Sequence, residues 1–147
     1  MELVRIPIKE LDKVWGLVEK DVRDALHYSS QLTDSEFVLQ TAKDGKFQIW
    51  VLWDKSKPKP VEKYFGVVVT ELIKRKLGKV CHIYIMTGRQ RHKWQYLVKD
   101  IEQFAKDEEC QMMELIARPG WQKVLNNYGY QRTHVVLEKK IKQEEKK

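Results

Sequence analysis

Two predicted strands carry side chains that can take up or release a proton. His82 and Tyr84 are two residues apart, so they share one face of the strand predicted for residues 80–86. Glu114 lies among apolar residues on the strand predicted for residues 111–117. Burial can shift the pKa of any of these groups enough to make it a general base. Each could instead be a structural residue, and the sequence leaves that alternative open.

A basic loop separates the first of these strands from the amphipathic helix that follows. The strand ends at Thr87 and Gly88, and the helix is predicted to begin at Trp94. The loop consists of Arg89, Gln90, Arg91, His92 and Lys93. Backbone N–H groups at a helix start and the positive end of the helix dipole favour anions, and three cationic side chains add to that preference. The pattern indicates a phosphate site, with a solvated basic loop as the alternative.

Other known catalytic and metal-binding patterns are missing from the sequence. It has no Gly-x-Ser-x-Gly nucleophile elbow, no Gly-Lys-Ser/Thr phosphate loop and no His-Glu-x-x-His pair. The separation of His27, His92 and His134 does not match metal ligands, so no metal site is predicted. Cys81 and Cys110 lack zinc-ligand spacing and are expected to be reduced, buried thiols.

Composition predicts one folded domain that favours anionic partners. The chain has 147 residues, of which 42% are hydrophobic, and five tryptophans add apolar bulk for a core. Lys and Arg number 28 against 21 Asp and Glu, which gives a formal net charge of +7. This excess attracts nucleic acid, acidic protein or a phosphorylated cofactor without choosing among them. No apolar run resembles a signal peptide or spans a bilayer, so we expect no membrane partner.

Hydrophobic periodicity predicts strands and helices along the whole chain. The predicted strands cover residues 2–7, 47–53, 61–73, 80–86, 111–117 and 130–137. The predicted helices cover residues 11–26, a short stretch capped by Thr33 and ending near Asp44, residues 94–105, and residues 121–128 closed by Gly129. Residues 54–60 are predicted to be an exposed hairpin loop, because proline would break a strand ladder.

The order of these elements resembles that of the GNAT superfamily of acyl-CoA N-acyltransferases. The segment from Glu114 to Arg132 is similar to the family's strand, short helix, Gly-aromatic pair and final strand, with Gly129 and Tyr130 as that pair. The resemblance implies an α/β (α+β) fold with a mixed, mostly antiparallel central sheet of about six to seven strands flanked by about four helices. We expect one GNAT-like domain over residues 1–141 and a charged, frayed tail over residues 142–147.

The resemblance also implies a cofactor and a reaction. In this family the fourth and fifth strands part, and the arm of acetyl-CoA lies between them. The resemblance therefore assigns the arm to Tyr84, Ile85 and Met86 and the pyrophosphate to residues 89–93. An unknown amine would attack the thioester carbonyl directly while strand N–H groups polarise it, with His82, Tyr84 or Glu114 as the candidate base.

The sequence departs from the family pattern at two places. The family's phosphate loop has small residues that let phosphate approach the backbone, whereas both possible registers here place bulky residues there. A tyrosine acid of many members corresponds to Leu125, and an accompanying asparagine corresponds to Arg118. Tyr128, directly before Gly129, is the remaining candidate catalytic phenol, with a core or rim position as its alternative.

A catalytically inactive binding or assembly module is the alternative function. Small basic GNAT-like domains occur in bacteriophages, and the sequence is similar to those. We expect a cytoplasmic location, in a host cell if a phage encodes the chain. Residues 55–59 and 89–93 could contact nucleic acid phosphates, with Tyr64 and Trp94 stacking on bases. Exposed tryptophans could instead form a self-association surface, the candidates being Trp50, Trp53 and Trp121; the sequence leaves the oligomeric state open.

Overall fold

Five strands form one mixed sheet in the order β1-β2-β3-β4-β5 in the computed structural model, which describes residues 1–27, 32–117 and 119–143. The strands are β1 Glu2–Arg5, β2 Phe47–Trp53, β3 Tyr64–Arg75, β4 Gly78–Gly88 and β5 Met112–Leu115. Neighbouring strands are antiparallel from β1 to β4, and β4 pairs with β5 in parallel. The chain divides into two compact units, Met1–Ile116 and Ala117–Lys147, and the whole sheet belongs to the first.

Five α-helices accompany the sheet in the described part of the chain. They are α1 Leu11–His27, α2 Ser35–Lys43, α3 Pro60–Lys63, α4 Val98–Asp107 and α5 Pro119–Asn126. Short 3-10 turns occur at Ile8–Glu10, Arg91–Lys93 and Gln95–Leu97. None of the described helices has both the length and the apolarity that crossing a bilayer requires.

Helices α1 and α2 cover one face of the sheet. In α1 the buried residues Val18, Val22 and Leu26 recur every four positions, so they form one apolar stripe. Each such side chain contributes about 1.5–3 kcal/mol when it is fully buried. The buried residues of this layer are Leu11, Val18, Val22, Leu26, Val38, Leu39, Ala42, Phe47, Ile49, Val51, Val67, Val69 and Ile85.

The opposite face of the sheet packs on α4. The Trp50 ring meets the Phe104 ring edge-on, with centroids 5.1 Å apart. Trp50 Nε1 donates a hydrogen bond to the Thr70 hydroxyl (3.0 Å), which in turn donates to Gln48 Oε1 (2.8 Å). These three polar groups are buried and satisfied, so Trp50 is a core residue and its ring is not exposed for self-association.

The predicted sheet of six to seven strands with four helices is wrong in its numbers. The described residues contain five strands and five α-helices, because residues 130–137 form no strand and α3 occupies Pro60–Lys63, of which residues 61–63 were predicted to be strand. A strand requires backbone partners as well as apolar side chains. In this segment Val135, Val136 and Leu137 are exposed, so the apolar pattern that predicted a strand is not matched by burial.

Two predicted helix starts differ from the structure. The N-cap of α2 is Asp34 rather than Thr33, because the Asp34 carboxylate accepts a hydrogen bond from the Phe37 backbone N–H at 2.9 Å. The helix predicted from Trp94 starts as an α-helix only at Val98, and two 3-10 turns precede it. The apolar stripe was correctly recognised, but periodicity does not distinguish these tight turns from an α-helix.

Both cysteines are free thiols, and Cys81 is buried whereas Cys110 is only half-buried. Burial raises the pKa of the Cys81 thiol to about 12. Cys81 is therefore protonated and unreactive at neutral pH.

Two glycines allow the ends of β3 and β4 to approach each other closely. Gly66 pairs with Gly88, and a Cβ added at Gly66 would meet the Thr87 carbonyl and lie 2.8 Å from Gly88 Cα. These atoms belong to the backbone, so they cannot move aside as a flexible side chain would. The close approach also fixes the start of the basic loop, since the Arg89 N–H donates to the Phe65 carbonyl at 2.8 Å.

We predict that Gly66→Ala lowers the free energy of unfolding by about 1–3 kcal/mol, because the added methyl overpacks the strand pair. Gly16→Ala is the matched control, since Gly16 lies on the exposed side of α1 with nothing within 4 Å of an added Cβ. The control should raise stability by up to about 1 kcal/mol. Urea unfolding of both variants measures the difference, and equal stability of the two would contradict the close approach.

Candidate functional site

Strand β4 pairs with β5 along only part of its length. The parallel ladder joins Val80–Ile83 to Met112–Leu115, where β5 ends. Strand β4 continues from Tyr84 to Gly88, paired with β3 on its other side. The main chain of these five residues therefore has no strand partner on the β5 side within the described residues. Free backbone groups along such an edge can bind a ligand.

A β-bulge lies where this pairing ends. Val69 of β3 faces Ile85, but the next residue, Thr70, faces Ile83, so Tyr84 is an extra residue in β4. A bulge bends its strand, increases the local twist and redirects side chains. Here the extra residue, Tyr84, directly follows Ile83, the last residue of β4 that pairs with β5.

Three neighbouring strands contribute to one polar cluster: Arg75 from β3, His82 from β4 and Glu114 from β5. The Arg75 guanidinium donates to both Glu114 carboxylate oxygens, from Nη1 at 2.8 Å and from Nη2 at 3.0 Å. His82 Nδ1 lies 3.1 Å from Glu114 Oε1. The His82 side chain is only 11% exposed and the Glu114 side chain 30%. The structure thus brings together two predicted site residues and adds Arg75.

The cluster fixes the roles that its members can have. Hydrogen bonds from the Arg75 guanidinium lower the pKa of Glu114, and burial opposes this only in part. Glu114 therefore stays ionised near neutral pH and is a weak base. An ionised carboxylate only accepts hydrogen bonds, so the proton between the two groups belongs to His82 Nδ1. With this proton on Nδ1, Nε2 of the imidazole carries the lone pair and is the nitrogen that can accept a proton.

Tyr84 lies beside the cluster on the face that α1 and α2 cover. Its ring centroid is 4.9 Å from that of Phe47 and 6.5 Å from that of His82. Burial is the main cause that raises the pKa of Tyr84, so the phenol is neutral and can donate a hydrogen bond. The nearby Thr33 side chain, acting as a hydrogen-bond partner of the phenol, opposes this rise of the Tyr84 pKa in part. Ile85 is part of the core, and Met86 is half-buried.

Arg89 holds the basic loop against the preceding hairpin. Its Nη2 donates to the carbonyls of Glu62 (2.8 Å) and Tyr64 (3.1 Å), and its Nε donates to Tyr64 at 3.3 Å. Its guanidinium also lies 4.3 Å from the centre of the Phe65 ring. These contacts occupy much of the guanidinium, so Arg89 has a structural role whether or not it also meets phosphate.

The remaining loop residues form a strained turn. Gln90 has a left-handed backbone with φ of 52° and precedes the 3-10 turn Arg91–Lys93. A left-handed residue followed by right-handed ones directs successive N–H groups to one side, which favours an anion. His92 and Lys93 are exposed and Arg91 is half-buried. Trp94 is only 1% exposed, and its Nε1 donates to the Arg89 carbonyl at 2.8 Å.

Tyr128 belongs to the second unit of the structure. It follows α5, and its N–H donates to the Leu125 carbonyl at 2.9 Å. Gly129 then has φ of 89°, the left-handed conformation that lets the chain turn at the helix end. Leu125 is 2% exposed, so the residue at the family's tyrosine position is a core residue. Arg118 lies outside the described residues.

Comparison with solved structures supports one fold for the chain. A predicted acetyltransferase from Clostridium acetobutylicum with acetyl-CoA has a TM-score of 0.66 and 14% identity over 95% of each chain. An aminoglycoside acetyltransferase from an uncultured soil metagenomic sample in complex with sisomicin has a TM-score of 0.65 and 14% identity over 96% of each chain. Glucosamine-6-phosphate N-acetyltransferase from Arabidopsis thaliana has a TM-score of 0.62 and 16% identity over 96% of this chain and 98% of that one.

The chain therefore has the same fold as these acetyltransferases. No protein-family model and no curated protein sequence matches it. The resemblance inferred from element order is thus confirmed for the fold.

Sequence reasoning identified His82 and Glu114 but missed Arg75 and the bulge. Arg75 lies 39 residues before its carboxylate partner, and the predicted strand stopped two residues short of it. Continuing the alternation from Ile73 would have placed Arg75 on the same face. A single extra residue in β4 leaves no mark in the apolar pattern, so the bulge had no sequence signal.

We predict that Arg75→Met raises the pKa of Glu114 towards the ordinary glutamate value of about 4.3. A carboxylate with a lowered pKa stabilises the fold above its unfolded pKa and loses that contribution as pH falls through its folded pKa. The variant should therefore have a lower free energy of unfolding than the wild type at neutral pH. This difference between the two proteins should become smaller below about pH 4.

NMR titration of the Glu114 carboxyl carbon measures the pKa, and urea unfolding across pH measures the stability. Lys74→Met is the control, because Lys74 is exposed on the same strand and its substitution removes the same charge. An unchanged Glu114 pKa in Arg75→Met would show that the ion pair does not form in solution.

Proposed function

We propose that the chain is an acyl-CoA-dependent N-acyltransferase. The observation that carries the proposal is that the pairing of β4 with β5 ends at the Tyr84 bulge, directly beside the His82–Glu114 pair. This arrangement offers unpaired backbone groups and a candidate base in the same place. The likeness to acetyltransferases in fold supports it.

The residues around this edge fit acetyl-CoA in part. Tyr84, Ile85 and Met86 would contact its arm, because they follow the last residue pair of the ladder. Residues 89–93 would meet its phosphates, since the turn at Gln90 and the cations there favour anions. Bulky side chains in this loop and the engaged Arg89 depart from the family pattern, so contact would come through side chains more than through bare backbone.

The chain's own residues would position the reactants and remove a proton. When bound, acetyl-CoA supplies a thioester whose carbonyl an amine can attack. His82 Nε2 would accept the amine proton, and Glu114 would hold the ring through Nδ1. Backbone N–H groups on the open side of β4 would polarise the carbonyl. Tyr128, in the second unit, stays a predicted catalytic phenol.

A catalytically inactive GNAT-like module is the alternative, and one observation favours it. Leu125 is buried at the position where many members of the family have a tyrosine acid. Such a module could keep the fold without turnover. Ligand binding and turnover must therefore be measured separately.

We predict that acetyl-CoA binds the wild-type chain with micromolar affinity and releases heat in isothermal titration. Arg91→Ala/Lys93→Ala should weaken binding about ten-fold, as expected for two lost phosphate contacts. Arg89 is left intact because its loss would also release the hairpin loop.

Lys99→Ala/Lys106→Ala removes the same charge from exposed positions on α4 and should bind normally. Absence of binding at high micromolar ligand would remove the proposed function. Binding that is normal in both double variants would show that the phosphates lie elsewhere.

We predict that His82→Gln lowers kcat for acetylation of a responsive amine at least about 100-fold, because a general base is lost. Glu114→Gln should cost less, about 10-fold, since the imidazole remains but is held less firmly. Liquid chromatography of the acetylated product over a panel of primary amines measures the rates.

His134→Gln is the control, because His134 is an exposed histidine of the second unit. Thermal unfolding of each variant separates lost chemistry from lost fold. Full activity in a folded His82→Gln variant would rule out His82 as the base, and no turnover with any amine would favour the inactive module.

A further inference from the structure

Two basic loops that are far apart in sequence meet at one end of the sheet. We call residues 54–63 the lysine loop and residues 88–93 the arginine loop. Arg89 joins them, because its guanidinium donates to the carbonyls of Glu62 and Tyr64. The backbone adds a second link, from Arg89 N–H to the Phe65 carbonyl. The two loops therefore form one surface rather than two separate clusters.

This surface carries most of the chain's excess charge. Its seven cationic residues are Lys55, Lys57, Lys59, Lys63, Arg89, Arg91 and Lys93, and its two acids are Asp54 and Glu62. The two loops thus contribute five of the seven net positive charges of the whole sequence. Such a concentration produces a local field that attracts polyanions.

The charges of the lysine loop are not neutralised by ion pairs. Lys55, Lys57 and Lys59 are exposed, and none of them forms a salt bridge with a described carboxylate. The Asp54 carboxylate instead accepts hydrogen bonds from the Ser56 hydroxyl (2.6 Å) and backbone N–H (3.0 Å). Lys43 and Arg75, in contrast, do form salt bridges with acids. Because the three lysines form no such salt bridge with a described residue, they can interact with an external anion.

The composition of the surface distinguishes between classes of anion. Val61 is the one large apolar side chain that is exposed on the described residues of the two loops. A protein interface needs an apolar centre and a membrane-binding surface needs apolar groups to insert, and a single valine provides little of either. A surface of cations without an apolar centre suits a phosphodiester backbone.

The aromatic residues expected to stack on bases are not available. Trp94 is buried and bonded to the Arg89 carbonyl, and the Tyr64 hydroxyl donates to Asp21 Oδ2 at 2.6 Å. Single-stranded nucleic acids are held largely by stacking of bases on aromatic rings. With both of these rings engaged, the surface contacts nucleic acid mainly through phosphates, so it favours the higher charge density of a duplex.

We propose that the lysine and arginine loops together bind the phosphate backbone of double-stranded nucleic acid without sequence preference. This inference does not depend on acyltransferase activity. It requires only the charges and the junction that Arg89 makes.

Fluorescence anisotropy with labelled duplex DNA, duplex RNA and single-stranded DNA of equal length tests the proposal. The logarithm of the affinity for duplex should fall linearly with the logarithm of salt between about 50 and 200 mM. Lys55→Gln/Lys57→Gln/Lys59→Gln should weaken duplex binding at least about ten-fold and reduce the salt slope by about 2–3. Duplex DNA and duplex RNA should behave alike, because they share the phosphodiester chemistry.

Lys20→Gln/Lys99→Gln/Lys106→Gln is the matched control, since it removes three exposed helix lysines outside both loops. It should leave the salt slope within about one of the wild type. If both triple variants weaken duplex binding equally, net charge alone explains the binding, and the assigned surface is wrong. Absence of duplex binding at about 50 mM salt, or clear preference for the single strand, would also overturn it.

Titration of the lysine variant with acetyl-CoA separates the surface from the cofactor site. Unchanged acetyl-CoA binding together with weakened duplex binding is the expected result. Weakened acetyl-CoA binding with unchanged duplex binding would assign the lysines to the cofactor and overturn the proposal.

Discussion

The long antiparallel pairing of β3 with β4 is the constraint on which the site depends. It runs from Gly66 opposite Gly88 to Arg75 opposite Gly78, and it is interrupted only at the Tyr84 bulge. One end of this ladder positions Arg75 for the polar cluster, and the other end starts the arginine loop. Because the two ends belong to one rigid pair of strands, core packing at Val67 and Val69 fixes the site as well as the fold.

The polar cluster of Arg75, His82 and Glu114 brings together side chains from three neighbouring strands. Each strand supplies one side chain, and the carboxylate lies between two possible donors. The guanidinium lowers the pKa of Glu114, so the glutamate orients the imidazole instead of competing with it for a proton. A carboxylate, an imidazole and a strand edge that has no strand partner among the described residues then occur within a few residues of one another. The surrounding core keeps His82 nearly buried, which favours directional hydrogen bonds over solvation.

The sequence was informative where burial alone decides structure. Strand β2 and helix α1 were predicted closely, because continuous and four-residue apolar patterns have few other solutions. Prediction failed where the structure of a segment depends on contacts with another part of the chain. Residues 130–137 have the composition of a strand, yet their apolar side chains are exposed in the described structure. Trp94 was predicted to begin a helix, but its indole is fixed by a hydrogen bond to Arg89, which no periodicity encodes. In the candidate site, His82 and Glu114 were found by residue type, whereas Arg75 required the register of β3 against β4.

Strand β5 is joined to β4 by fewer residue pairs than β3 is. Four residue pairs join it to β4, whereas ten pairs join β3 to β4. Its remaining anchors include the Glu114 contacts with Arg75 and His82. Strand β5 is therefore held to β4 along a shorter ladder than β3 is. A displacement of β5 would move Glu114 with it and so change how firmly the His82 imidazole is held.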